Sequence, residues 1–208
     1  MTKTRLEAFS DGVLAIIITI MVLELHTPHG TGWGALRPLI PVFMSYILSF
    51  IVVGIYWGNH HHLLHAVNHV TSRMIWANLH LLFWLSLIPF GTAWMGESNF
   101  TSITVATYAV LVNCCGVAYF ILLKTIERTH PGHPGLADSL KKQSRKGAMS
   151  VLLYGLAIPA AFVHVAISGA LFLLVSVMWW IPDRNIERSV QNGEAAPDHK
   201  KNEHLHQP

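Results

Sequence analysis

Five histidines, His60, His61, His62, His65 and His69, fall within ten positions of this chain. His61, His65 and His69 stand at i, i+4 and i+8, which is one face of a helix. Imidazoles at that spacing suit zinc or a similar ion, and a histidine cluster also gains charge as pH falls. Zinc wants four ligands, however, and no cysteine or carboxylate adjoins the row. Polar residues closing a helix at an interface account for the row better, and no metal site is assigned to it. A second concentration of polar chemistry is Ser10-Asp11, just inside the apolar run Phe9–Leu25. Ionisable groups inside such runs are costly and are ordinarily paired or functional. The alternative is a helix start, where serine and aspartate cap free N–H groups and meet the positive end of the dipole.

Further along the same run, Ile16, Thr19, Ile20 and Leu23 lie at i, i+3, i+4 and i+7. They share a helix face, and Ile16 and Leu23 are about 10 Å apart along the axis. Around a pore, this face would stack apolar collars with one hydroxyl layer, and apolar constrictions gate water and ions by dewetting. Against lipid or another helix it would be an ordinary apolar stripe. Glu24 and Glu97 fall at expected outer ends. Several copies of Glu24 around a pore mouth would gather cations, whereas one copy is a solvated helix end. His80, inside another apolar run, reads as a hydrogen-bonded packing histidine.

The elements that must position these residues follow from the gaps between charges. No Asp, Glu, Lys or Arg occurs over 38–72, 74–96, 98–123 or 147–182. A spanning helix needs about 20 mostly apolar residues. The spacing predicts six spans, over 8–25, 39–62, 74–96, 100–123, 147–164 and 166–181. The last two share one gap, with a tight turn near His164–Ser168, and Pro159 is expected to interrupt the first of them. With the N-terminus inside, thirteen of the fourteen Lys and Arg residues fall on the cytoplasmic side, and only Arg37 lies outside. That asymmetry is the positive-inside pattern, and a single helix over 147–181 would destroy it. The expectation is an all-α membrane protein with one domain over 1–182, both termini cytoplasmic, multi-pass in a cell (plasma or inner) membrane. Residues 125–146 read as a long internal loop, and 183–208 as a polar, disordered cytoplasmic tail. The first run is not read as a cleaved signal, because Asp11 opens it and no small-x-small site follows Leu25.

Composition agrees. The 208 residues are 52% hydrophobic and 12% charged, with a mean hydropathy of +0.42; soluble domains carry roughly 25% charged residues. The two cysteines, Cys114 and Cys115, are neighbours in an apolar run and build no disulfide framework. The mild positive balance suits an anionic membrane surface before nucleic acid. Trp33, Trp57, Trp76, Trp94, Trp179 and Trp180 sit near expected span ends, as interfacial aromatic belts require. The first-run motif has no second copy, so any pore symmetry must come from several chains.

Arg5-x-x-x-Phe9-Ser10-Asp11 resembles the signature of the potassium channels typified by the lysosomal transmembrane protein 175 and its prokaryotic relatives. The likeness extends through Gly12, the Ile-x-x-Thr-x-x-x-Leu-Glu pattern, Tyr56-Trp57-Gly-Asn59-His60-His61, Asn78 and Leu87-Ile88-Pro89-Phe90. It covers most of residues 1–97 specifically and the remainder by hydropathy.

The resemblance implies a homotetramer with four first helices around a central pore that passes potassium and other monovalent cations passively. It implies no Thr-Val-Gly-Tyr-Gly filter, no cofactor and no catalysis. Its constriction falls on Ile16, Ile20 and Leu23, with Ile16 the principal residue and Thr19 offering a hydroxyl to a partly dehydrated ion. It further implies that Arg5, Phe9, Ser10 and Asp11 join a polar network with His60, His61, Asn78 and His80 from neighbouring spans. Two other classes are weighed. A proton-coupled or other secondary transporter would use Asp11 or His80, but such proteins carry inverted repeats and broken helices, and no such pair is visible. An intramembrane enzyme would need a nucleophile motif or paired catalytic carboxylates, and neither is present.

Overall fold

The computed structural model describes residues 2–65, 67, 69–129 and 134–180. The tail expected over 183–208 lies outside the described residues. Among those residues every regular element is helical and there is no strand. In hydrocarbon, each backbone N–H and C=O must find its partner within the segment, and a helix achieves this.

The elements are α1 (Lys3–Leu23), a 3-10 turn (Trp33–Leu39) leading into α2 (Ile40–His65), α3 (Ser72–Ser86), α4 (Ile88–Glu97), α5 (Ser102–Thr129), α6 (Pro134–Val163) and α7 (Val165–Trp180). Five helical stretches are long and apolar enough to cross a membrane, and the sixteen-residue α7 is a shorter apolar helix. The stretch expected as one span over 74–96 is two helices. Leu87 is the last cap of α3 and the first of α4, and Pro89 stands in the first turn of α4. Proline donates no backbone hydrogen bond, so the ladder breaks one turn below it. Pro159 has no such effect, because α6 runs through it to Val163. The turn expected over His164–Ser168 is His164 alone, whose Nδ1 accepts the Ala166 N–H at 3.2 Å. The loop expected over 125–146 is mostly helix, since α5 reaches Thr129 and α6 begins at Pro134. Those turns are basic because they extend the spans toward water.

α5 is the centre. Tyr108, Val112, Cys115, Ala118 and Leu122 are fully enclosed, and α3, α4, α6 and α7 pack around it. α1 is peripheral to that core and rests on α2, α3 and α4 with one side. Two glycines let α4 close on its neighbours. A Cβ at Gly91 would meet Leu111 Cδ1 at 2.6 Å, and one at Gly96 would meet Ser45 Oγ at 2.5 Å and Val42 Cα at 2.7 Å. The second neighbour is backbone and cannot rotate away.

Gly96→Ala should therefore force α2 from α4, at a cost of about 1–3 kcal/mol. Thermal unfolding in detergent should show a fall of several degrees, with Gly12→Ala as a control whose Cβ meets nothing within 4 Å. Equal melting temperatures for the two variants would show that the α2–α4 contact is not tight.

Candidate functional site

α1 has two faces. Leu6, Ser10, Leu14, Ile17 and Met21 are buried against the bundle. Phe9, Ile16, Thr19, Ile20 and Leu23 face away from it, with Ile16 58% and Leu23 78% exposed in the single chain. The four residues singled out by spacing thus form one uncovered stripe. Thr19 Oγ1 donates to Ile16 O at 2.9 Å. Its proton is engaged within the helix, and the oxygen lone pairs remain free to meet a cation. Arg5 is also exposed near the start of this face. At the other end Glu24, exposed, caps α1, and its carbonyl meets His26 Nδ1 at 2.8 Å.

Behind the stripe, three helices are joined by buried polar side chains. Ser10 Oγ donates to Leu6 O at 2.8 Å, Asn78 Nδ2 donates to Ser10 Oγ at 2.9 Å, and His60 Nε2 meets Asn78 Oδ1 at 2.6 Å. All three residues are almost completely enclosed. The amide oxygen can only accept, so the proton of this pair is on His60 Nε2. The chain of bonds ties α1 to α3 and α3 to α2. Asp11 lies beside it and takes a different partner: Trp57 Nε1 donates to Asp11 Oδ1 at 3.0 Å. These residues do not cap a helix, because α1 starts at Lys3 with Thr2 Oγ1 accepting the Arg5 N–H at 3.4 Å.

The structure brings together Ser10, His60 and Asn78, with Asp11 adjacent through Trp57. It places Arg5, Phe9, His61 and His80 elsewhere. Arg5 and Phe9 point out from α1. His61 is exposed and stacks loosely with Trp57 and His65. His80 sits on the outer side of α3, where Trp84 Nε1 donates to its Nε2 at 2.9 Å. Two residues along a helix are about 200° apart, so Asn78 inside requires His80 outside. The histidine row is also divided, since α2 ends at His65 and His69 lies beyond it. Among the described residues no group of three or more His, Cys, Asp or Glu side chains could hold a metal.

Sequence reasoning missed two features. Lys3 Nζ donates to His65 O at 2.7 Å, closing the end of α2 with α1. In the other half of the bundle, Thr92 Oγ1 donates to Ser49 Oγ at 2.6 Å, and Ser49 Oγ meets Tyr108 OH at 2.9 Å. The signal for the latter was the serine pair Ser45 and Ser49, four apart in an otherwise apolar run.

A family model described as the endosomal/lysosomal potassium channel TMEM175 matches residues 5–89. A potassium channel of Chryseobacterium is 48% identical over 191 residues, covering 92% of this chain and 99% of its own. A potassium channel of Streptomyces collinus is 30% identical over 185 residues, covering 84% of this chain and 90% of its own. The chain belongs to the TMEM175 potassium channel family. The fold is also that of the crystal structure of a lysosomal potassium-selective channel TMEM175 homolog from Chamaesiphon minutus, with a TM-score of 0.77 and 23% identity over 88% of this chain and 97% of that one. The matched segment 5–89 spans α1, α2 and α3, so it contains the uncovered stripe and the whole buried polar chain. Membership makes this an ion-channel protein of the membrane and not an enzyme. It gives no support to the coupled-transporter alternative at Asp11 or His80.

Asn78→Leu leaves Ser10 Oγ and His60 Nε2 without Asn78, at about 1–3 kcal/mol for an unsatisfied buried group. The channel's melting temperature should fall accordingly. The double variant His60→Leu/Asn78→Leu should cost less than the two single changes added together. Additive losses would show that the two side chains do not act as one unit.

Proposed function

We propose that this channel is a homotetramer in which four copies of α1 surround a potassium-permeable pore in the plasma or inner membrane, with both termini cytoplasmic. The observation that carries this reading is the uncovered stripe of Ile16, Thr19, Ile20 and Leu23 on a helix whose opposite side is fixed to the bundle. One such stripe encloses nothing. Rings of it make apolar collars at Ile16, Ile20 and Leu23, spaced over about 10 Å. A collar of methyl groups offers an ion no replacement for hydration water, so it closes by dewetting and conducts when wetted. Thr19 supplies the one layer of oxygen between collars. Permeation is passive, with potassium and other monovalent cations as the moving species and no resident cofactor. Glu24 follows Leu23 directly, and four carboxylates there raise the local cation concentration at the outer mouth. The proposed topology agrees with the placement of the basic residues, thirteen of fourteen on one side.

The test is potassium efflux from proteoliposomes down a gradient, with no second substrate. Ile16→Asn places an amide in the narrowest collar and should raise flux by about tenfold, which corresponds to a barrier lowered by ~1.4 kcal/mol. It should also narrow the difference between potassium and sodium. Unchanged flux in a folded four-chain particle would remove Ile16 from the pathway.

Glu24→Gln should lower potassium conductance in about 10 mM salt and leave it unchanged near 1 M, where the screening length shrinks from about 30 Å to 3 Å. An equal loss at both salt concentrations would assign Glu24 a structural task instead.

A further inference from the structure

A groove of about 930 Å³ runs along α2 between α1 and the α6–α7 pair. It lies within the range of about 300–1,000 Å³ common for built ligand sites. Its sides are apolar for most of its length: Leu14 and Ile18 from α1, and Phe50, Ile51 and Ile55 from α2. Its floor is deepened by Gly54 and Gly58, four residues apart on α2, and a Cβ at either would meet nothing within 4 Å. At one end the lining changes character. Lys146, His62 and Gln143 enter it beside the indoles of Trp57, Trp179 and Trp180. Gln143 is buried and donates from Nε2 to Tyr119 OH at 2.8 Å, while its Oε1 has no hydrogen-bond partner. Asp11 also lines this end, with Oδ1 already taking the Trp57 indole N–H.

We propose that this groove binds one anionic glycerophospholipid, with phosphatidylglycerol as the type. Two observations converge on that chemistry. The apolar trough is walled by helices long and apolar enough to cross a membrane, where filling it with water would be unfavourable and an acyl chain is the available solvent. The tryptophans mark the level of the headgroups, and the lysine and imidazole at that level match a phosphate. Further cations, Lys141, Lys142 and Arg145, stand on the preceding turns of α6. The groove residues of α1 are more than about 90° around the helix from Ile16, so the lipid occupies a site beside the ion pathway and not within it. On the topology proposed above, this headgroup end lies in the cytoplasmic leaflet; the binding chemistry does not depend on that topology.

Native mass spectrometry of the purified four-chain channel, offered equal amounts of phosphatidylglycerol and phosphatidylcholine, tests this. Wild type should retain phosphatidylglycerol in about fivefold preference, the effect of one basic residue at a lipid surface. Lys146→Gln should bring that ratio close to one. Gly54→Leu fills open space, should fold as wild type by thermal unfolding, and should abolish retention of both lipids. Unchanged retention in Lys146→Gln and Gly54→Leu would overturn the proposal. So would loss of the four-chain particle in Gly54→Leu with lipid retention intact, because the groove would then hold a neighbouring copy. If Gly54→Leu fails to fold, Lys146→Gln decides, and a preference that survives it would overturn the proposal. Potassium flux in each variant separates this outcome from failure of the pore reading, since neither substitution touches the Ile16 stripe.

Discussion

A single buried amide sets the rotation of the helix on which the proposed pore depends. Asn78 gives its N–H to Ser10 and its oxygen to His60, so one side chain on α3 holds both α1 and α2. Within an apolar bundle each of those groups would be expensive to leave unpaired, and α1 cannot turn without breaking the set. Ser10 and Ile16 are six residues apart, which is about 120° around the helix. Fixing Ser10 inward therefore fixes Ile16 outward. Thr92, Ser49 and Tyr108 form a second polar contact toward the other end of the bundle, near the sulfur of Met21. α1 is held at two levels along one side, and the opposite side is left open.

The rest of the bundle serves that arrangement by taking burial away from α1. α5 carries most of the core, and α6 and α7 complete its far side. The break at Leu87 lets one span do two jobs: α3 presents Asn78 to α1 and α2, while α4 closes on α2 through Gly96. The result is a stiff support behind α1, with two unfilled surfaces, the Ile16 stripe and the groove over Gly54 and Gly58.

Much of this was legible in the charge gaps. Stretches without Asp, Glu, Lys or Arg mark the spans because charge is what the bilayer excludes. Ser10, Asn78 and His60 were legible as partners only through the family resemblance, since nothing local reports that residues 68 apart will meet. His80 could have been set apart on spacing alone, because it cannot share a face with Asn78 two residues before it. The two prolines show what local rules leave out. Pro89 and Pro159 remove the same hydrogen bond, yet only the first coincides with a break. The basic extension of α6 was hidden for a related reason: basic residues near prolines read as loop, although a helix leaving the membrane has every reason to become basic.

An apolar stripe looks the same toward lipid as toward a pore, so the apolar residues of α1 do not decide between them. The polar residues on the same face are what support the proposed pore. Arg5, Thr19 and Leu23 fall within about 60° of Ile16 around α1, and Glu24 follows at its end. A lipid-facing helix gains nothing from a hydroxyl in mid-span or a charge at each end in register with it. α7 provides the contrast within this chain: its exposed Leu173, Leu174 and Val177 belong to a run with no ionisable residue from 165 to 180. Lipid is a sufficient partner for that helix. The α1 face, charged at its ends, apolar between them and interrupted by one hydroxyl, has the order of environments that a hydrated cation meets in crossing: water, a dry constriction, and water again.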